Sequence, residues 1–219
     1  MSQRRYRDSS GRTLADYPRP SVAVDTAVLT VDAHRTLVVL EVRRLSSTGW
    51  ALPRTFLYEG ETLADAVNRS LRAKANVRGL HPRQLHVFDD PHRDERGWVL
   101  SVAHVDVVRM DQLETRFADR TRLVPVDSPG RLPWGHEGII KRAVEHVRVD
   151  YIDKPDPAGL LGDEFTLRDL RLVHEAIAGK ALQRDTFRRT MEPHLDATGS
   201  TTIRGRGRPA ELFRRRRGA

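Results

Sequence analysis

From Ser21 the chain takes on a clear pattern. Val22, Val24, Thr26, Val28 and Thr30 alternate with smaller or polar residues, the period of two that predicts a strand. A turn at Asp32 to Arg35 leads into a second, more apolar run over 36–43. Past Trp50-Ala51-Leu52-Pro53 and Gly60-Glu61-Thr62 the period lengthens. Leu63, Val67 and Leu71 fall at i, i+4 and i+8, which predicts a helix with one apolar face. Thr62 with Asp65 three residues on reads as its capping box, although Asp is shorter than the usual Glu. Further strands are expected near 84–88 and 98–108, joined by a charged loop over 89–97, then a short strand at 123–126 and a helix near 135–149. Strands with interspersed helices predict an α/β domain.

The pattern changes again beyond residue 150. Residues 151–162 hold Pro155, Pro157, Gly159 and Gly162 and read as a linker. Thr166 and Asp169 form a second capping box, and Leu167, Leu170, Val173, His174 and Ile177 make a helix stripe closed by Gly179. A second helix is expected from near Arg184, with Phe187, Met191 and Leu195 on one face. Two β-prone runs then flank the segment Gly205-Arg206-Gly207-Arg208-Pro209. Helix, turn, helix and a basic glycine-rich hairpin outline a winged helix-turn-helix over 163–219. Residues 1–20 lack periodicity and read as a flexible basic arm.

Composition sharpens this division. The formal net charge of the 219 residues is +8. Residues 1–20 carry +3 of it and residues 163–219 carry +5, while 21–162 balances twenty basic against twenty acidic residues. Positive ends around a neutral middle point to a polyanion partner for the ends and a different task for the centre. There are no cysteines, which excludes disulfides, thiolate metal sites and a cysteine nucleophile. No apolar run reaches the ~18–20 residues of a spanning helix, and the polar, arginine-rich start does not read as a secretory signal. A cytoplasmic protein without a membrane partner is expected.

The stretch from Leu52 through Thr62 into the following helix resembles the Nudix signature. Glu61 matches its first glutamate, Arg69 its arginine, and Leu71 and Val77 its apolar positions. Thr55 and Asn76 stand where the signature has glycines, and Ser70, Ala73 and Lys74 stand where it has glutamates. Positions 70, 73 and 74 fall at i, i+3 and i+4 and share one helical face. In the Nudix family that face carries carboxylates that hold magnesium or manganese against a diphosphate. Here it offers a hydroxyl, a methyl and an ammonium, where hard cations want several oxygens. The resemblance therefore implies a domain that binds its ligand without hydrolysing it, with no catalytic residues, no metal and no cofactor.

The C-terminal third extends the likeness. Leu132-Pro133-Trp134-Gly135-His136-Glu137, with Ala143 to Arg148, resembles the linker helix of the NrtR family, Nudix-related transcriptional regulators of NAD metabolism. Leu160 to Leu167, Phe187-Arg188-Arg189 and Gly207 to Phe213 resemble that family's winged helix. The resemblance implies a Nudix-like α/β/α sandwich over 21–150 followed by a C-terminal winged helix-turn-helix. It further implies a homodimeric repressor that binds a near-palindromic double-stranded operator and senses ADP-ribose or a related nucleotide. A hydrolase of a nucleoside-diphosphate-linked substrate and a same-architecture regulator of sugar metabolism are the alternatives.

An anionic dinucleotide-like effector needs cations and an aromatic or apolar wall. Arg43, Arg54 and Lys74 are the candidate cations, Trp50 and Phe56 the candidate walls, and Glu61 completes the effector set. Phe56 fits a core position equally well, and Arg43 could simply end a strand. For DNA, with Phe187 and Met191 turned inward, Arg184, Thr186, Arg188 and Arg189 are free for base edges and phosphates. Arg204, Arg206, Arg208 and Arg214 supply charge to the wing, arginine being suited to both guanine and phosphate; Arg214 also fits a solvated tail. His174 and His194 read as packing or surface residues, and His136 as a residue that could hold the two domains in register.

Overall fold

The computed structural model describes residues 6–44, 48–202 and 209–216. Its centre is a seven-stranded mixed sheet. The longest strand, β1 (Ser21–Val31), is buried over Ala23 to Thr30 on both faces, because a helix covers each side of the sheet. β1 pairs antiparallel with β2 (Leu37–Arg43) and β4 (Arg54–Phe56) and parallel with β6 (Val99–Val107). β3 (Trp50–Ala51) and β7 (Thr121–Pro125) join β2, and β5 (Arg83–Phe88) joins β6.

Helix α1 (Leu63–Ala75) covers one face. Val67 and Leu71 pack there against Val24, Val28, Leu40 and Val42. Its start is the expected capping box: the Thr62 hydroxyl accepts from the Asp65 N–H, and the Asp65 carboxylate accepts from the Thr62 N–H. Helix α2 (His136–Asp150) covers the other face with Ile139, Ile140, Ala143 and Val147, against Ala27, Leu29, Val39 and Val105. The result is an α/β/α sandwich.

Beyond it, α3 (Leu167–Ala178) and α4 (Arg184–Met191) precede a two-stranded wing, β8 (Leu195–Thr202) and β9 (Ala210–Arg215). Phe165 adds a bridge to Phe213, exchanging both backbone hydrogen bonds. Phe165, Leu170, Phe187, Met191, Leu195 and Phe213 form a separate core. Leu195, expected on the second helix, instead opens β8, because α4 ends at Met191 and a 3-10 turn containing Pro193 intervenes. It still reaches the same core.

Residues 151–162, expected as a linker, form a hydrogen-bonded junction. Asp156 is buried, with φ at +51°, and its carboxylate accepts from the Tyr151 hydroxyl (2.9 Å), the Leu160 and Leu161 N–H groups (both 2.8 Å) and Arg215 on β9 (2.7 Å). Arg148 near the end of α2 donates to the Ile177 carbonyl of α3 at 2.9 Å. The sandwich and the winged helix are therefore tied through α2. The described part of the N-terminal arm, 6–20, is mostly exposed and contains one short 3-10 turn, Leu14–Asp16.

Candidate functional site

Arg54 opens β4 opposite Asp25 in the register with β1. Its guanidinium lies inside the domain, 3.3 Å from Asp25 and 2.9 Å from Asp94. Asp25 also receives His136 Nε2 at 3.0 Å and the Ser101 hydroxyl. The His136 Nδ1 accepts from the Leu52 N–H at 3.0 Å, which puts the ring hydrogen on Nε2, facing Asp25. Burial pushes the Asp25 carboxyl up, but His136, Arg54 and Ser101 outweigh it and hold it below its ordinary value. Arg96 grips Asp94 with Nε and a terminal nitrogen, both at 2.8 Å, and with Arg54 holds that carboxyl well below the carboxylate range.

Trp134, just ahead of α2, stands over this network in the left-handed region at φ +56°, followed by Gly135 at +68°. Backbone strain of this kind concentrates at functional positions. The guanidiniums of Arg54, Arg96 and Arg44 lie 4.5, 4.6 and 5.0 Å from its ring. Together with Arg43, Phe56 and Lys74 these side chains line a cleft of about 260 Å³. Lys74 reaches back to donate to the Arg54 carbonyl, and burial, then repulsion from Arg54, lowers its pKa. A larger groove of about 620 Å³ lies between the end of α2 and helices α3 and α4, but its lining is mostly apolar.

The structure brings Arg43, Phe56 and Lys74 together at the cleft and corrects four other expectations. Arg54 lines the cleft, yet its charge is spent on Asp25 and Asp94. Trp50 lies outside the cleft lining, under the Arg122 guanidinium at 4.6 Å. Glu61 also lies outside it. Arg69 binds Glu61 at 2.7 and 2.8 Å while donating to Thr55 and the Phe56 carbonyl, which staples the 55–61 loop onto α1 and holds the Glu61 carboxyl down to about 2. His136 holds α2 to its own sheet rather than holding the two domains in register. Arg96, Trp134, Arg44, Asp25 and Asp94 were missed. The charged 89–97 loop and the Leu132–His136 motif were visible, but nothing local joined them.

The helix face with the Nudix-like spacing does not fit a divalent cation. Ser70 is buried with no hydrogen-bond partner for its hydroxyl, Ala73 is exposed, and Lys74 brings an ammonium. Among the described residues no group of three or more His, Asp or Glu side chains comes together as metal ligands.

On the winged helix, the Gln183 side chain caps α4 by accepting from the Thr186 N–H, and Phe187 and Met191 face the core. Arg184 and Arg189 are exposed and make no ion pair among the described residues. Arg188 is tied to Glu192 one turn on, at 2.8 and 3.0 Å. Thr186 borders the apolar groove behind α4. Arg214 is exposed on β9, in a depression that also contains Asp163, Glu164 and Asp196. Arg204, Arg206 and Arg208 lie outside the described residues. His174 is buried edge-on between Tyr151 and Phe187, a packing role.

Fold and site together define a Nudix-like sandwich joined to a winged helix-turn-helix. The family model described as the NrtR DNA-binding winged helix domain matches residues 157–215. The ADPR responsive transcriptional repressor NtrR of Acinetobacter baylyi is 26% identical over 211 residues, 91% of this chain and 84% of that protein. The crystal structure of Shewanella oneidensis NrtR complexed with a 27mer DNA is 29% identical, covering 89% of this chain and 93% of its own, with a TM-score of 0.74. An ADP-ribose pyrophosphatase of Methanocaldococcus jannaschii is 29% identical over 126 residues, 57% of this chain and 73% of that enzyme. The chain thus resembles NrtR proteins over most of its length, and its residues 157–215 match the NrtR winged helix domain.

Proposed function

We propose that this protein is a DNA-binding transcriptional repressor of genes for NAD synthesis or salvage. Its Nudix-like domain senses ADP-ribose or a related NAD-derived nucleotide and does not hydrolyse it. One observation carries the reading: a cation-rich cleft, unfit for a divalent metal, sits at the start of the helix whose far end is tied to a winged helix. The repressor and the DNA complex among its relatives support the same conclusion. The effector subsite is Arg43, Arg44, Lys74, Arg96, Phe56 and Trp134, with Arg54 positioning them. Arg184, Arg188, Arg189 and Arg214, with Arg204, Arg206 and Arg208, contact DNA. The arm, sandwich, junction and reader follow the bounds 1–20, 21–150, 151–162 and 163–219.

A homodimer fits this role, since two readers related by a twofold axis match two half-sites about one helical turn or a multiple apart. No helix among the described residues is long and apolar enough to cross a membrane, and a cytoplasmic regulator accords with that. The test is genome-wide mapping of the bound sites, followed by titration of one such operator with and without ADP-ribose. Binding upstream of NAD genes, with operator affinity shifted roughly 5–150-fold at saturation, is expected. An operator titration indifferent to ADP-ribose would remove the sensor, and magnesium-dependent turnover of ADP-ribose would restore the hydrolase reading.

A further inference from the structure

Two neighbouring arginines on α4 have different surroundings. Asp185 stands one turn before Arg189 and Glu192 one turn after Arg188, so spacing offers each arginine a carboxylate. Of the two, only Arg188 takes it among the described residues. Its Nε donates to one Glu192 oxygen at 3.0 Å and its Nη2 to the other at 2.8 Å. These bonds hold the Glu192 carboxyl below its ordinary value. Both leave the guanidinium along one edge. A guanidinium carries its five N–H donors in a rigid plane, so the parallel pair on its two terminal nitrogens stays unspent. Phe187 and Met191 are buried while Arg188 is exposed, which leaves the guanidinium on the outer side of the helix. The same contact makes Arg188 a poor phosphate anchor. Glu192 cancels its formal charge, and Asp185 and Glu211 of β9 add negative potential nearby. Phosphate binding rests on net positive charge. Guanine asks for something else, two coplanar donors for its O6 and N7.

We propose that Glu192 is a positioning residue for sequence recognition: it grips Arg188 by one edge and presents the other edge to a guanine in the operator. This deepens the functional reading above and rests on its assignment of Arg188 to DNA. Arg184 and Arg189, without an ion pair among the described residues, remain free for phosphates. The carboxylate costs the reader some attraction to DNA in general and gives preference for one base in return.

Binding-site selection from a random-sequence duplex library, with the full chain and its variants, tests this. Arg188→Ala should lose guanine preference at one position, roughly 5–100-fold. Glu192→Ala should lose most of the same preference at the same position. Its affinity for unselected random duplex should rise, and its salt dependence steepen by about one ion, because the released arginine reaches phosphate. That opposite movement is one that a merely structural role would not produce. The Arg188→Ala/Glu192→Ala double variant should match Arg188→Ala, since Glu192 acts through that side chain. Glu192→Gln, which keeps the size of the side chain and removes its charge, serves in the same way if the alanine variant melts early. Full base preference in the Glu192 variants, or uniformly weaker binding with preference unchanged, would overturn the inference and leave Arg188 as a base reader. An Arg188→Ala variant that relaxes no position would overturn the base-reading assignment and the inference with it.

Discussion

The two ends of α2 look onto opposite electrostatic arrangements. Before its first turn, Arg54 is buried and Arg96 half-covered, and both are held by Asp25 and Asp94. Beyond its last turn, Arg184 and Arg189 stand exposed on α4 without an ion pair among the described residues. Buried charge must be compensated or the fold fails, so Arg54 is part of the core. Exposed arginines cost the fold little and stay available to a polyanion. The same residue type is thus spent on the fold at Arg54 and left available to a ligand at Arg184 and Arg189.

The sharpest way to break this contrast is to remove charge from both places. Asp25→Ala leaves Arg54 and His136 buried without their carboxylate and should cost about 3–5 kcal/mol of stability in chemical denaturation. Arg184→Ala and Arg189→Ala should each stay within about 0.5 kcal/mol. Similar losses at both sites would end the distinction. Arg54→Ala belongs with Asp25→Ala, and its effect on ligand affinity would be read through a destabilised domain.

Acid should discriminate between the two regions next. Burial lowers the pKa of His174 from 6.5 to about 4, so between those values only the unfolded chain takes up its proton. Its contribution is complete above pH 6.5 and declines as pH falls toward 4, by up to about 3 kcal/mol. His104, also lowered by burial, acts with the same sign inside the sandwich. The depressed Asp25 and Asp94 work lower down: their contribution is complete above about pH 4 and is lost below it. Denaturation midpoints measured from neutral to mildly acidic pH should fall less in His174→Phe than in the parent. Parallel pH curves would show that His174 is not the group responsible.

On DNA, an Arg184→Ala/Arg189→Ala double variant should weaken all sequences alike and flatten the salt dependence by about two ions. Arg188→Ala should instead relax one base position by about 1–3 kcal/mol. Swapped outcomes in binding-site selection would exchange their roles. The smallest expected effect is a point of similarity. Thr62→Ala and Thr166→Ala remove the same capping box from the two domains and should each cost about 1 kcal/mol in thermal unfolding.

Local pattern alone determined much of this molecule. The alternation in β1, the apolar stripes of α1 and α3, their Thr–Asp caps, the αL glycine at Gly179 and the inward Phe187 and Met191 all depend on neighbours within a turn or a strand pleat. The loss of carboxylates at Ser70, Ala73 and Lys74 was equally legible, since it needed only a spacing. Two-residue β3 and three-residue β4 were not, because strands so short carry no period. The cleft was decided by the tertiary structure. Arg54 meets Asp94 across 40 residues, Leu52 meets His136 across 84, and Asp25 meets His136 across 111. Those meetings follow from the sheet order that sets β1 between β4 and β6 and from the seating of α2 on its face. Whether an arginine is a free cation or a buried counter-ion depends on what the fold places opposite it, and sequence spacing holds no record of that.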